Sequence, residues 1–597
     1  MLFYAEVVIP GPWWNTLTYI LESSTPPQRG VRVRVPVGSG SRVGFVESVA
    51  DSPPVSGSGT RMALKTVREV LDERCVLGDD LWGLAGWTGK TFLCGMGEAL
   101  QLICPKALLR GGPFSPPPPE APANGVFRER ACYDPRDEER RAGYVEELSR
   151  GGRALVLFPE KENASLFFRA LPSEIREESL LWPESDGGKK IGAAWDAVCR
   201  GEVRVIVGTG RAVFAPMTFE TIIVDDEANP SYVFVRAPRV SARTLAGRRA
   251  LCLKAVFLLG GRLPSARTYL RSRPACSILP RRENLVFVDM GRARKNAVPG
   301  VEGELFLTKS LLDRTRATLA AGRSVFWIMD RKGLSGEVFC SDCGSALSCS
   351  RCGSTMRSES EGAVLRCVQC GMRDVLPPRC PVCRGTLLRG RRPGLEALLP
   401  TALRYVENAP VLMDEPSLKR VSSPALLLGT RRLLTRCDLL DVGLVGWLDL
   451  DAEERKTDYN ARFQTFSMIW ESCWRGLKGA DAWRVVLMQT RRTGNAWRSA
   501  LWSGWENFWR GDLEERKNLN LPPYATLVQI DLPDGENRDA FAKTLEDAGF
   551  SVMDAGDGIS PLRVTVNSIG KLRKALRPRF EIRHSRRGFP VLTLCAE

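Results

Sequence analysis

The residues best placed to do chemistry are eight cysteines in four Cys-x-x-Cys pairs within 44 residues: Cys340/Cys343, Cys349/Cys352, Cys367/Cys370 and Cys380/Cys383. A two-residue spacer folds a tight turn that aims both thiolates at one point, and two such turns complete a tetrahedral zinc site. Eight ligands therefore predict two structural Zn2+ ions. Gly344, Gly353 and Gly371 follow three of the pairs and supply the positive-φ backbone that closes such a turn. A disulfide cluster is the alternative, and it would need an oxidising compartment. The other ten of the 18 cysteines are scattered without a pairing pattern, which suits a reducing cytoplasm.

A second candidate fails on spacing. Gly89-Lys90-Thr91 has the ending of a phosphate-binding loop, but Leu84 stands where the first glycine belongs. The preceding Asp79-Asp80-Leu81-Trp82-Gly83-Leu84-Ala85-Gly86 reads as helix rather than buried strand, so GWTGKT is expected to be a surface turn between helices. Thr221-Ile222-Ile223-Val224 followed by Asp225-Asp226-Glu227 is a strand delivering carboxylates at its C-terminal end, the arrangement that holds Mg2+ in nucleotide sites. His584 is the one histidine of the chain and excludes a histidine-based catalytic constellation.

These residues need a scaffold of several domains, which 597 residues readily supply. Residues 1–50 carry the alternation of short strands, and 78–110 read as helical. The proline-rich stretch 111–125 reads as a linker. Beyond it, apolar runs at 153–159, 203–208, 220–227, 254–260 and 324–329 alternate with helical patterns, and the pattern resumes at 424–430 and 442–451. Such spacing predicts parallel α/β sheets interrupted by the cysteine module. No fixed-period repeat is visible. The segment from 522 onward reads as α+β and carries a basic cluster: Lys571, Arg573, Lys574, Arg577, Arg579, Arg583, Arg586 and Arg587. No apolar stretch reaches the roughly 18 residues of a membrane span, and the N-terminus has no secretory pattern. Net charge is +16, which favours a polyanionic partner, nucleic acid first.

In several places the chain resembles the PriA family of bacterial proteins that restart stalled replication forks. The cysteine spacing is kept at every step, and Asp330-Arg331-Lys332-Gly333 is similar to the family's N-R-R-G. Residues 208–216 (GTGRAVFAP) resemble G-T-R-S-A-L-F-A-P, and 222–232 (IIVDDEANPSY) resemble I-I-V-D-E-E-H-D-P-S-Y. Leu428-Gly429-Thr430 resembles the L-G-T of helicase motif V, and Leu519 to Tyr524 resemble the C-terminal L-P-P-[FWY]. Residues 32–38 (RVRVPVG) resemble R-V-x-V-P-F-G, with Ala63-Leu64-Lys65 similar to the L-K that follows.

The resemblance implies a multidomain α/β protein: a small β-rich domain over 1–110 that binds DNA 3′ ends, the linker 111–125, and a degenerate superfamily-2 helicase lobe over 126–285. A second degenerate lobe over 286–338 and 391–510 surrounds a double zinc-ribbon module at 339–390, and a C-terminal domain covers 511–597. It implies nested zinc sites, Cys349, Cys352, Cys367 and Cys370 on one ion and Cys340, Cys343, Cys380 and Cys383 on the other. The interval of fourteen residues between the middle pairs points the same way.

The departures are systematic. Where the family has G-V-T-G-S-G-K-T, this chain reads CYDPRDEERR (132–141), without a glycine loop or its lysine. The winged-helix segment gives way to the proline linker. Ala228 replaces the histidine of the acidic motif, and Gly261-Arg262-Leu263 stands for S-A-T. Thr435-Arg436-Cys437-Asp438-Leu439 stands for K-G-H-D-F, and Met468 to Arg475 for Q-V-A-G-R-A-G-R, with Ser472 at the arginine-finger position and Arg475 retained. Without loop, lysine and finger the charge of phosphoryl transfer goes unstabilised, and a finger alone is worth about 10³–10⁵ in rate. No catalytic residue is therefore expected. Asp225, Asp226 and Arg475 remain as a degenerate nucleotide site, with ATP and Mg2+ not expected to be held.

Of the family's 3′-end pocket, Gly38 and Lys65 are kept, while Leu17-Thr18 replace its aromatic-acidic pair. Gly38 is alternatively a plain hairpin glycine and Lys65 a solvated helix residue. Trp13 and Trp14 are candidate stacking surfaces, weighed against buried tryptophans, and Arg384, Arg389, Arg391 and Arg392 follow the last knuckle. The expectation is a monomeric, bacterial cytoplasmic, nucleoid-associated replication restart protein. It would bind forks, single strands or 3′ ends and dock primosome proteins and single-stranded DNA-binding protein without unwinding DNA. Alternatives are an active ATP-dependent 3′–5′ helicase with a non-standard ATP site, and a zinc-ribbon adaptor with incidental DNA affinity.

Overall fold

The computed structural model describes all residues except 54–63, 119–124, 186, 294–306, 330–337, 341, 343–346, 351–355, 359–363, 368–371, 391–394, 416, 419, 423, 455–458, 480–481, 491–495, 534, 554–560, 582–587 and 596–597. At the N-terminus, Leu2–Val8 pairs antiparallel with Leu17–Glu22 on one side and Gly40–Ala50 on the other. Arg32–Val37 completes a hairpin with Gly40–Ala50, and the short Lys65–Thr66 and Glu69–Val70 cap the edges of a six-stranded sheet. Alternation of Phe3, Ala5 and Val7 with half-buried partners puts one face on a core with Val33, Val35 and Val46.

Two helices follow, Gly78–Thr91 and Met96–Ile103. The first absorbs GWTGKT completely: Trp87 to Thr91 form its last turns, in place of the expected turn between helices. Helical hydrogen bonding continues because nothing in that stretch bars it. Gly89 also lets the next helix begin close by, since a Cβ there would stand 3.2 Å from Met96 N. The start of the proline-rich stretch is pinned. Phe114 meets Trp195 edge-on at 5.6 Å and Ser115 O accepts from Trp195 Nε1 at 3.0 Å.

Two six-stranded, wholly parallel sheets form the centre of the molecule. The first runs Arg128–Tyr133, Val256–Gly261, Thr221–Val224, Ala154–Leu157, Val205–Gly208, Ser179–Leu181. The second runs Leu285–Asp289, Val485–Thr490, Val442–Trp447, Ser324–Ile328, Leu426–Gly429, Val411–Met413. Numbered along the chain, both sheets have the order 1-6-5-2-4-3. The two lobes therefore repeat one topology, although no repeat is visible as sequence. The cysteine segment enters between the second and third strands of the second lobe only. Central strands such as Leu155, Val156, Ile222 and Ile223 are buried on both faces, as parallel strands covered by helices must be.

The last domain is a four-stranded antiparallel sheet of Ser551–Met553, Leu562–Val566, Thr526–Asp531 and Val591–Cys595, backed by helices Arg538–Asp547 and Ile569–Leu576. It docks onto the N-terminal region. Arg573 Nη1 donates to Gly89 O (2.5 Å) and Cys94 O (3.0 Å), its guanidinium lies 4.2 Å from the Trp14 ring centroid, and Trp14 stacks on Phe580 at 4.3 Å. Trp14 thus cements two domains and does not present a base platform, while half-buried Trp13 faces Arg42 at 5.4 Å. No helix among the described residues is long and apolar enough to cross a membrane. Arg573→Ala leaves two carbonyls and one ring face without their partner. We expect amide exchange at Trp14 and Cys94 to speed up, reflecting about 2 kcal/mol of lost docking, with the central sheets unaffected.

Candidate functional site

Three places hold the residues with chemical potential: the cleft between the two parallel sheets, the edge of the N-terminal sheet, and the cysteine module.

At the cleft, Arg128–Tyr133 leads through Asp134-Pro135-Arg136 into the helix Asp137–Ser149, so CYDPRDEERR makes the strand-loop-helix connection. Asp137, Glu138 and Glu139 occupy the first turn and place carboxylates at the positive end of the helix. From the second turn, Arg140 reaches Asp225. Its Nε donates to Asp225 Oδ1 at 2.6 Å and its Nη2 to Asp137 Oδ1 at 2.7 Å, while Nη1 donates to Asp134 O. Tyr144 adds a hydroxyl to Asp225 Oδ1 at 2.9 Å. A Cβ on Gly260 would collide with that hydroxyl, so the missing side chain is what admits Tyr144.

Arg262 extends the chain of charges. It pairs with Asp137 at 2.8 Å and with Asp226, and reaches Glu471 of the other lobe at 4.0 Å. Arg475 in turn pairs with Glu471 at 2.5 Å, Asp438 at 2.6 Å and Glu160 across the cleft. Arg140, Arg262 and Arg475 are all buried. Burial pushes the Asp137 and Asp225 carboxyls up, but Arg262 and Arg140 beside Asp137, and Arg140 beside Asp225, outweigh it and hold both below the usual carboxylate range. Burial dominates at Glu471 and raises it despite Arg475 and Arg262.

Asp225, Asp226 and Arg475 are therefore brought to one place, yet each carboxylate already has a guanidinium. Glu227 is used likewise: Tyr133 hydroxyl (2.8 Å) and Ser265 N (2.7 Å) donate to it, and Arg243 pairs with it at 2.7 Å. Ser472 accepts from Trp447 Nε1 and donates to Met468 O, a buried structural role. Sequence reasoning misses Arg140, Tyr144 and Asp137. Their signal is present in the unusually charged stretch that replaces the glycine loop.

Beside this network opens a cavity of about 680 Å³ between the lobes, the end of the helix Gly78–Thr91 and the C-terminal domain. Arg239, Arg267, Arg431 and Arg432 line it with Trp87 and Phe463. Thr209 and Thr430 hold equivalent posts, each following the fourth strand of its lobe and preceding a short 3-10 helix, with nearly the same backbone angles.

On the N-terminal sheet, Gly38 turns the hairpin at φ 60°, with no heavy atom within 4 Å of where a Cβ would stand, and Lys65 is exposed. Lys65 lies on a short strand beside Tyr19, where a solvated helix was the alternative, and its Nζ donates to Gly38 O at 3.3 Å. The structure thus joins the two residues. Thr18 nearby donates to Glu6 Oε1 at 2.5 Å.

In the cysteine module, the thiols of Cys340, Cys380 and Cys383 lie within 4.8 Å of one another, a group that could hold a metal ion. Pairing of Val338–Cys340 with Leu388–Gly390 brings the module's two ends together. Val382 N and Gly385 N donate to the sulfurs of Cys380 and Cys383 at 3.4 Å, the N–H···S pattern of a metal-binding turn. Arg384 takes the place that glycine holds after the other three pairs, at φ 64°. Cys349 and Cys367 are buried around Met356 and Leu365. Cys343, Cys352 and Cys370 lie outside the described residues, as do Arg391, Arg392, Arg583, His584, Arg586, Arg587 and Asp330 to Gly333. Arg140→Ala would leave Asp137 and Asp225 buried with fewer counter-charges. Chemical denaturation should show a loss of about 3–5 kcal/mol in the first lobe.

The family model described as the 3′DNA-binding domain (3′BD) of PriA matches residues 6–105. The replication restart protein PriA of Treponema pallidum (strain Nichols) is 25% identical over 84% of this chain and 82% of its own length. That of Thermotoga maritima is 27% identical over 56% of this chain and 47% of its own length. Among solved structures, S. cerevisiae Dbp5 bound to RNA and ADP BeF3 overlaps 65% of this chain and 84% of its own, at 13% identity and a TM-score of 0.32, too low to bear on the fold. Over most of its length the chain is similar to PriA replication restart proteins, and its residues 6–105 match that family's 3′DNA-binding domain.

Proposed function

We propose that this chain works in replication restart by binding forked or single-stranded DNA, without unwinding it. The family supports the first half, since these relatives carry the name replication restart protein. The second half rests on one observation: Arg140 and Tyr144 on Asp225, and Arg262 on Asp226, already engage the carboxylates that a nucleotide-bound Mg2+ would need. Displacing them would strand buried charges, a cost that magnesium coordination must first overcome. Asp134-Pro135-Arg136 forms no glycine nest before the helix, and the helix's first turn is acidic, which repels phosphate.

DNA contact would use the edge formed by Gly38 and Lys65 and the arginines lining the cavity. The cysteine module would hold two Zn2+ ions in the nested arrangement, Cys340, Cys343, Cys380 and Cys383 on one, Cys349, Cys352, Cys367 and Cys370 on the other. The grouping of Cys340 with Cys380 and Cys383 supports the outer set. Primosome proteins and single-stranded DNA-binding protein are the partners this reading brings, acting on a monomer at the bacterial nucleoid.

Three measurements test it. Purified full-length protein should bind a fork more tightly than plain duplex, with affinity falling as salt rises, and should release no phosphate from ATP above background. Equal affinity for duplex, or DNA-stimulated turnover that Asp225→Ala abolishes, would overturn the respective half. Metal analysis should return about two zincs per chain, and a value near one would contradict the nested pair.

A further inference from the structure

The cleft between the parallel lobes is closed by more than salt bridges. Three tryptophans of the second lobe send their indole N–H groups to backbone carbonyls that follow the last strand of the first lobe. Trp470 donates to Arg262 O at 2.9 Å, Trp509 to Pro264 O at 3.2 Å and Trp505 to Pro274 O at 3.0 Å. All three rings are fully buried. They belong to one hydrophobic cluster that also contains Leu263, Ala266 and Tyr269, with Tyr133 and Ala228 of the first lobe packed against it. Tyr269 stacks near Trp509 at 6.2 Å, and Tyr133 meets Trp505 at 6.3 Å. At the other end of the seam, Gly476 N donates to Asp137 Oδ2 at 3.3 Å, beside the Arg475–Glu160 pair.

A motor driven by nucleotide needs lobes that separate and rejoin, because each state must bind the ligand differently. Separation here would unpair three buried indoles and three carbonyls, expose a shared aromatic core, and part Glu160 from Arg475. The cleft carboxylates are already paired with the protein's own guanidinium groups, so a nucleotide-bound cation would have to displace those partners first.

We propose that the two lobes are welded into one rigid body whose spacing does not respond to nucleotide or DNA. This deepens the reading that the chain does not unwind DNA, and rests on it for its biological sense. DNA would then meet a surface of constant geometry.

Electron-spin distance measurements on the full chain test the weld. Labels are carried by p-acetylphenylalanine at Glu174 in the first lobe and Arg404 in the second, because 18 cysteines exclude thiol labelling. Both positions are exposed. One narrow distance distribution is expected, unchanged by forked DNA, ATP or a non-hydrolysable analogue. A ligand-dependent shift, or two populations, would overturn the proposal. The double variant Trp509→Phe with Arg475→Gln keeps an aromatic ring but removes one N–H bond and the ion pairs. It should broaden the distribution and speed amide exchange in 262–274 about tenfold. An unaltered distribution and unaltered exchange in that variant would equally overturn it. ATP turnover is read in the same samples. Lobes that move without turnover refute the weld alone, and turnover at fixed spacing refutes the inactive reading alone.

Discussion

Arg140 reaching Asp225 is the contact from which the rest of the cleft follows. Two charges buried this deeply are costly unless each is matched, and matching them fixes everything around them. Asp137 must sit on the first helical turn to balance Arg140, and Arg262 must balance Asp137 and Asp226. Glu471 and Arg475 then carry the alternation into the second lobe. The result is a polar seam in which each of these buried ions has a partner of opposite sign, sealed by aromatic packing behind it. A site of this kind has its electrostatic preorganisation directed inward, toward the protein's own groups, where catalysis would need it directed toward a substrate.

Retention of the surrounding scaffold makes physical sense on these terms. Parallel sheets need helices on both faces and right-handed crossovers, so their topology survives large changes in loops. The 1-6-5-2-4-3 order is kept in both lobes although the connection after the first strand of the first lobe carries no glycine loop. The cysteine module depends on local turn geometry and its own small core around Met356, Leu365 and Cys367, so it is insulated from what happens in the cleft.

What can be read from residue order follows the range of the forces involved. Central strands such as Ala154–Leu157, Thr221–Val224 and Leu426–Gly429 announce themselves as apolar runs because both faces are buried. The edge strand Arg128–Tyr133 does not, since its alternation of Arg, Glu and Arg reflects a half-exposed position. Resemblance picks out Gly38 and Lys65, but their mutual hydrogen bond across 27 residues is not legible in the sequence. Arg140 reads as one charge in a charged stretch, because its meaning lies in an aspartate 85 residues away. The lobe duplication is hidden for a related reason: sheet order is a property of pairing, and the cysteine insertion stretches the second copy. Trp14 reads as a candidate base platform because exposure cannot be inferred for a ring whose cover comes from the far end of the chain.

That last contact has a consequence for how the molecule is made. Gly89 and Arg573 are separated by 484 residues, and Trp14 is covered by Phe580 from a comparably distant point in the sequence. During synthesis the first domain can form its sheet early, yet its docking face stays bare until Arg573 and Phe580 have emerged. The first domain is thus clasped by a segment translated 484 residues later. A product that stops short of Arg573 and Phe580 would therefore display Trp14 uncovered.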